Sequence, residues 1–387
     1  MDLNKLLSYI PEGLLNELAL ETGVDKYSKK LQGEVVFKLM LHCLISHKDN
    51  SLRRMESAYE SIAFGLLNNG NNRSGIRYSS ISERLGAINV SYFEKLYHTC
   101  VHTYKEFLSK EAENEIIRFD STIVTVASSL INIGYQTGGD SLKVKQLKFT
   151  VGYSEIPEVI SFYHEKNYSS ENKALKETIL KEPNNTSIRI FDRGITARTT
   201  YDEFTEGRIK YVSRIINSPR NEEYRPNCIV NPIQTKTLNI IEDKWVYLFG
   251  TNDKKTKHPV RLIRAIQLRN NEYISFVTNI DSLSANDITE LYKRRWDIEV
   301  FFKFLKQHLN FSHIINRSEN GIKVILYITM IAAILILVYK KQRKLTGFKL
   351  VKQKFAQELE LEIVKILITL CGGDPIKLNT VLGKPPS

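Results

Sequence analysis

Apolar residues recur at helical intervals in LLNELALETGV, GEVVFKLMLHCLI, SLRRMESAYESIAFGLL and SYFEKLYHTCVHTYKEFL. Helical segments this short need mutual packing to persist, so residues 1–110 are expected to form a helical N-terminal domain. The run NNGNNRSG, from Asn68 to Gly75, interrupts it with turn-forming residues. After Glu115 the pattern changes. Isoleucine and valine crowd around Asp120 in EIIRFDST, and KVKQLKFTVGYS and PEVISFYHE read as two further strands. Ser170 to Leu180 reads as a helix and Ser187 to Phe191 as a strand ending at Asp192. Strand, strand, strand, helix, strand is the order of an α/β core with a mixed sheet, which residues 111–206 begin. Both aspartates are expected to leave the carboxyl ends of strands, where open sheets place their ligands.

Residues 207–280 lose the helical period. RIKYVSRII, NCIVNPIQ, KTLNIIE, KWVYLFG, PVRLIRAIQ and EYISFVTNI all favour strands, separated by Pro, Asn-Asp and Asn-Asn turns. The segment is too long for a plain loop and reads as an antiparallel β-rich insertion. The helical period returns at Ser284, where Ser284 and Asp287 resemble a capping box, and continues to Leu309. Residues 281–340 therefore complete the core. Residues 341–387 read as a basic helical region, opening on KKQRKLTGFKLVKQK, followed by a tail. The most apolar run, Val324 to Tyr339, falls short of the ~20 residues that cross a bilayer and is expected to be a buried helix rather than a membrane span.

Composition narrows the function. The chain has 387 residues, 42% apolar and 25% charged, ordinary for a globular protein, but its net charge is +12. That excess suits a polyanionic partner better than a small acidic substrate. Cys43, Cys100, Cys228 and Cys371 are scattered, with no Cys-x-x-Cys pair and no zinc-like histidine spacing. They are expected to be core or incidental. The N-terminus lacks the basic-then-apolar order of a signal peptide, so the expected location is the cytoplasm.

Candidate chemistry lies in three acids and one helix. Asp120, Asp192 and Glu299 come from different elements and converge only through folding. At about 100° per residue, Tyr292, Arg295, Glu299 and Lys306 in LYKRRWDIEVFFKFLK share one helix face. The plainer reading is the wet side of an amphipathic helix, with Glu299 paired to Arg295 and Lys303. Three carboxylates have a more specific use: they can hold two Mg²⁺ or Mn²⁺ ions about 3.5 to 4 Å apart, which activate an attacking oxygen and stabilise a leaving one on a phosphodiester. Asp120 is expected to bridge both ions, with Asp192 and Glu299 completing either side. Arg295, Lys306 and Tyr292 would hold the neighbouring phosphate. Lys254, Lys255, Lys257, Arg261 and Arg264 form a further basic patch suited to DNA phosphate. Arg53 and Arg54 are either phosphate contacts or a solvated helix face.

These residues carry a family resemblance. The interval pattern Tyr, two residues, Arg, three residues, Glu, six residues, Lys is met by Tyr292, Arg295, Glu299 and Lys306, with Trp296 directly after the arginine. Together with Asp120 in FDST and Asp192 in FDRG, the stretch from Glu115 to Lys365 resembles bacterial insertion-sequence transposases of the IS4 type, DDE enzymes of the ribonuclease-H-like superfamily. The resemblance implies a ribonuclease-H-like α/β core with a mixed sheet interrupted by the β-rich insertion. It also implies Mg²⁺-dependent cutting of terminal inverted repeats, often through a hairpin. A homodimeric synaptic complex on double-stranded DNA and strand transfer into target DNA are implied as well, at the bacterial nucleoid. Trp296 would join the DNA-facing group, and Trp245 or Tyr273 would stack on an extruded base, Trp245 alternatively being a buried strand residue. The chain departs from the family where Lys148-Phe149-Thr150 stands in place of Lys-Leu-His. Two rival functions share the sequence features: a nuclease that never joins DNA, and a repurposed, non-catalytic DNA-binding protein.

Overall fold

Serine hydroxyls set where several helices begin. Ser51 and Ser318 each accept the N–H three residues on, from Arg54 at 3.2 Å and Gly321 at 3.0 Å. At Ser284 the full reciprocal capping box with Asp287 is present. The computed structural model describes residues 10–11, 13–46, 50–68, 75–108, 115–127, 133–136, 144–183, 186–216, 219–226, 232–250 and 253–381. Most of NNGNNRSG, the whole segment NCIVN with Cys228, and the last residues of the tail lie outside them. The chain divides into two compact units, one drawn from Met1–Leu108, Val126–Ile133 and Lys303–Ser387, the other from Ser109–Thr125 and Gly134–Phe302.

The first unit is helical. It holds α1 (Leu14–Thr22), α2 (Gly33–Ser46), α3 (Leu52–Tyr59), α4 (Ile62–Leu67), α5 (Tyr78–Ala87) and α6 (Val90–Leu108). SLRRMESAYESIAFGLL, expected as one helical run, is split because Ser61 caps a new helix, accepting Phe64 N–H at 3.1 Å. The apolar run expected over Val324 to Tyr339 is the middle of a longer helix, Glu319–Gln342, whose length and composition would suffice to cross a membrane. Its apolar residues from Met330 to Tyr339 are instead almost wholly buried, packed against α2, α5 and α6. Polar side chains fix its start: Asn320 donates to the carbonyls of Leu85 and Ile88, and Tyr327 donates to Glu94 at 2.8 Å.

The described residues of the second unit build one mixed sheet of eleven strands. In chain order these are β1 (Ile116–Ala127), β2 (Tyr135–Gln136), β3 (Val144–Tyr153), β4 (Pro157–Tyr163), β5 (Ile188–Phe191), β6 (Lys210–Ile215), β7 (Asn221–Pro226), β8 (Ile233–Gln234), β9 (Leu238–Leu248), β10 (Val260–Gln267) and β11 (Tyr273–Thr278). Their order across the sheet is β2-β3-β1-β5-β6-β11-β10-β9-β7, with β4 on β3 and β8 on β9. β1, β5 and β6 run parallel, and the remaining paired neighbours described are antiparallel. KTLNIIE and KWVYLFG, read as two strands, form the single strand β9, and RIKYVSRII forms β6 beside β5.

Alternation decides which side each residue serves. Ile117, Phe119 and Phe191 enter one core with Leu175 and Ile179 of α7 (Glu171–Leu180) and with Tyr201 and Phe204 of α8 (Arg198–Glu206). Ile116, Ile188 and Ile190 enter the opposite core with Ile288 and Tyr292 of α9 (Ala285–Lys293). Period two therefore directs Asp120 and Asp192 to the α9 side. Close approach across β1 and β3 depends on Gly152, where a Cβ would lie 2.6 Å from the Phe119 ring.

Candidate active site

Phe119 pairs with Phe191 at the end of the parallel β1–β5 register, and Asp120 and Asp192 are the next residues along the chain. The two acids thus start from adjacent backbone on one face. Asp192 follows the end of β5 as expected. Asp120 does not leave a strand end: β1 continues to Ala127 alongside β3, so that acid is held mid-strand.

The helix bearing Glu299 is not continuous with the one bearing Tyr292. α9 ends at Lys293, and α10 (Trp296–His308) begins three residues later. Across the junction the N–H groups of Arg294, Arg295, Asp297 and Ile298 donate to carbonyls three residues back rather than four. That tighter turn corrects the single-helix stripe. Tyr292 and Arg295 still point at the acids. The Tyr292 hydroxyl donates to Asp192 Oδ1 at 2.9 Å, Arg295 Nη1 lies 3.8 Å from Asp120 Oδ2, and Arg295 Nη2 pairs with Glu299. One guanidinium thereby links Asp120 with Glu299.

Residues outside the expected set hold this arrangement. Arg118 lies on the same face as Asp120 and is 1% exposed; its Nε donates to Arg294 O at 3.1 Å and its Nη2 pairs with Asp297 at 3.0 Å. It pins the α9–α10 turn beside the strand. A cation in the middle of EIIRFDST, two residues before the acid and therefore on its face, was the signal. On the opposite face, Ser121 Oγ bonds Thr150 Oγ1 at 2.9 Å and Glu171 Oε2 at 3.0 Å, while buried Lys148 donates to Glu171 Oε1 at 2.9 Å. No motif in the sequence linked Glu171 to Asp120.

The two aspartates have opposite electrostatics. Burial, aided by the nearby charges of Glu171 and Glu299, pushes Asp120 up to about 6 despite the Ser121 N–H and Arg295. Burial also raises Asp192, but the Arg193 N–H, the Tyr292 hydroxyl, Arg295 and Arg214 outweigh it and hold the carboxyl below its usual value. Among the described residues no three His, Cys, Asp or Glu side chains stand together as a ready metal-ligand group. The donor chemistry nevertheless suits a hard cation: the candidate donors are carboxylate oxygens, and the positive charge between Asp120 and Glu299 is Arg295.

The other expected contacts are dispersed. Trp296 is 62% exposed. Lys306 is exposed on the part of α10 grouped with the helical unit. Arg53 is exposed and sits over the Tyr78 ring, while Arg54 lines a cavity of about 480 Å³ with His42 and Glu360. The basic patch is largely neutralised: Lys255 pairs with Glu222, Lys257 with Glu206 and Arg264 with Glu242, leaving Lys254 exposed. Arg261 is no surface cation. It is 5% exposed and makes a two-point pair with Asp243. Trp245 is 8% exposed under the Arg225 guanidinium, and Tyr273 is about half exposed.

Residues 111–335 match the family described as Transposase DDE domain, more than half of the chain. This chain belongs to the DDE transposase family. Its sheet, with helices on both faces and the β-rich segment between β6 and β11, is the ribonuclease-H-like core of that family. The chain is 28% identical over 280 residues to the "Putative transposase for insertion sequence element IS4SA" of Synechocystis sp. (strain ATCC 27184 / PCC 6803 / Kazusa), covering 67% of this chain and 74% of that protein. It is 28% identical over 182 residues to the "Probable transposase for insertion sequence element IS5377" of Geobacillus stearothermophilus, covering 45% and 47%. The IS4SA likeness agrees with the IS4-type pattern of the Tyr292–Lys306 motif. A solved structure of the piggyBac transposase synaptic complex with hairpin DNA aligns over 95% of this chain and 79% of its own, at 11% identity and a TM-score of 0.46.

Proposed function

We propose that this DDE transposase mobilises an insertion sequence. Two copies bind the terminal inverted repeats, cut the DNA at the element ends and join the freed 3′ ends to target DNA, in the bacterial cytoplasm at the nucleoid. The observation that carries this reading is the β1–β5 register. It sets Asp120 beside Asp192 on the face where Tyr292 and Arg295 meet them, and Arg295 in turn holds Glu299.

Asp120, Asp192 and Glu299 would hold divalent cations, Mg²⁺ or Mn²⁺, in a two-ion arrangement. When bound, the ions would supply charge compensation to the attacking and leaving oxygens of a phosphodiester. The protein's part is positional. Tyr292 holds one oxygen of Asp192 by its hydroxyl, fixing the carboxylate's orientation. Arg295 keeps Asp120 and Glu299 from repelling one another, and on DNA binding its guanidinium is the group suited to donate to two oxygens of a phosphate. Trp296, exposed beside it, offers a flat apolar face to a base or sugar. Lys306, Lys254 and Arg53 are the exposed cations proposed for backbone phosphates.

The test uses duplex DNA ending in the gene's own flanking inverted repeats, with Mg²⁺, resolved on a denaturing gel. Nicks at the element ends, hairpins and joined products are expected with the native chain and absent with Glu299→Ala or Asp192→Ala, both still binding DNA. End cutting without joined product would make the protein a nuclease. Specific binding with no cut at all would make it a DNA-binding protein.

A further inference from the structure

We propose that Glu171 is a positioning residue of this site, acting on Asp120 through Ser121. The proposal rests on the transposase reading for its rate measurement but not for its ion-binding measurement. Glu171 opens α7 and lies on the side of the sheet away from Tyr292. Its two carboxylate oxygens are both committed: Oε1 accepts from Lys148 Nζ at 2.9 Å, and Oε2 bonds Ser121 Oγ at 3.0 Å. Lys148 is itself 1% exposed and also donates to Ser169 O at 2.6 Å, so the anchor cannot drift into solvent. Ser121 Oγ is held from a second direction by Thr150 Oγ1 at 2.9 Å, on the neighbouring strand β3.

Ser121 is also the residue whose backbone N–H donates to Asp120 Oδ1 at 2.8 Å. Clamping its side chain on one face therefore fixes the peptide that orients the carboxylate on the other. The same glutamate reaches the second aspartate's turn. Gly194, in Asp192-Arg193-Gly194, lies so close that a Cβ there would stand 2.8 Å from Glu171 Cβ and 2.9 Å from its Cγ. One side chain thus touches the elements that carry both acids. A displacement of about 1 Å in a reacting constellation costs on the order of 100-fold in rate, so a clamp of this kind has a measurable consequence.

The experiment is a double-mutant cycle of Glu171→Gln and Ser121→Ala in the full chain. Three readouts are taken: affinity for Mn²⁺ by loss of the free-ion EPR signal, single-turnover cutting of the end duplex, and thermal melting. Ser121→Ala removes one hydroxyl and leaves the Lys148–Glu171 pair intact, so it keeps the test valid if Glu171→Gln folds poorly. Each single variant should cut about 10- to 100-fold more slowly and bind Mn²⁺ several-fold more weakly. The double variant should be no worse than the poorer single. A folded Glu171→Gln or Ser121→Ala with native cutting and native Mn²⁺ affinity overturns the proposal, as do effects that multiply in the double variant. If the native chain cuts no DNA, the transposase reading fails, and the Mn²⁺ cycle alone still decides the role of Glu171.

Discussion

Breaking the buried Arg261–Asp243 pair should destabilise the sheet unit by an amount that a urea titration can read. The sequence suggested a phosphate contact at Arg261, whereas the structure buries its side chain to 6% exposure against an Asp243 side chain at 5%. The guanidinium makes four bonds: Nε to Asp243 Oδ1 at 2.8 Å, Nη2 to Oδ2 at 2.6 Å, and Nη1 to the carbonyls of Ile280 at 3.1 Å and Leu283 at 2.6 Å. Removing one member of a buried pair costs about 3–5 kcal/mol, because the other charge is stranded. In Asp243→Ala the two carbonyl bonds survive, which points to the lower end, about 3 kcal/mol. With a urea m-value of about 2–3 kcal/mol per molar, the midpoint should fall by about 1–1.5 M. Trp245, buried on the same strand as Asp243, supplies the fluorescence probe for this unit. The double change Asp243→Leu with Arg261→Met should recover most of the loss, since an apolar pair removes both desolvation costs. A midpoint for Asp243→Ala within about 0.3 M of native would refute the reasoning. So would a double variant as unstable as the single. Were Arg261 instead a DNA contact, Arg261→Met would reduce the salt slope of DNA binding by about one and leave the urea midpoint alone.

Three further outcomes are expected. Tyr292→Phe removes a hydrogen bond to a carboxylate, worth about 1.5–3 kcal/mol, and should slow end cutting about 10- to 100-fold while leaving DNA affinity within about two-fold; cutting at the native rate would deny Tyr292 its part in orienting Asp192. Cys43 and Cys100 are buried, with thiols pushed up to about 12 by that burial, whereas Cys371 is exposed; peptide mapping after iodoacetamide at pH 8 should find Cys371 modified and the other two protected until denaturant is added. Chelation by EDTA should abolish cutting and leave DNA binding in place, with Mn²⁺ restoring activity; binding lost in parallel with cutting would mean that the ions serve the fold or the DNA interface.

The individual acids were legible in the sequence because each stands at the end of an apolar run, EIIRF before Asp120 and SIRIF before Asp192. Their meeting was not legible, because the pairing of Phe119 with Phe191 is set by a register between distant segments. The Tyr292–Glu299 stripe identified useful residues for a partly mistaken reason. Apolar periodicity runs unbroken through LYKRRWDIEV, and nothing in it announces the three-residue hydrogen bonds at the turn, which depend on buried Arg118 gripping Arg294 O from another element. The pairing of the basic patch was not legible for a related reason. A cation's availability depends on the acid opposite it, and Glu222, Glu206, Glu242 and Asp243 reach their partners only across the folded sheet or from α8. Glu171 escaped notice because its link to Asp120 passes through a serine hydroxyl on the far face of the strand.

The adjacency of Asp120 and Asp192 in parallel register bears on how such a gene tolerates length changes. Residues added in the loops that link β1, β3, β4, α7 and β5 would lengthen connections while leaving the two acids side by side. A single residue inserted within Ile116–Phe119 would turn Asp120 to the opposite face, because strand side chains alternate. Indels scanned along this reading frame should therefore be tolerated in the connections and lethal within Ile116–Phe119 and Ile188–Phe191, the paired stretches that set the phase of the two acids. The length of the loops between the acids is free to drift, and the phase of β1 and β5 is not.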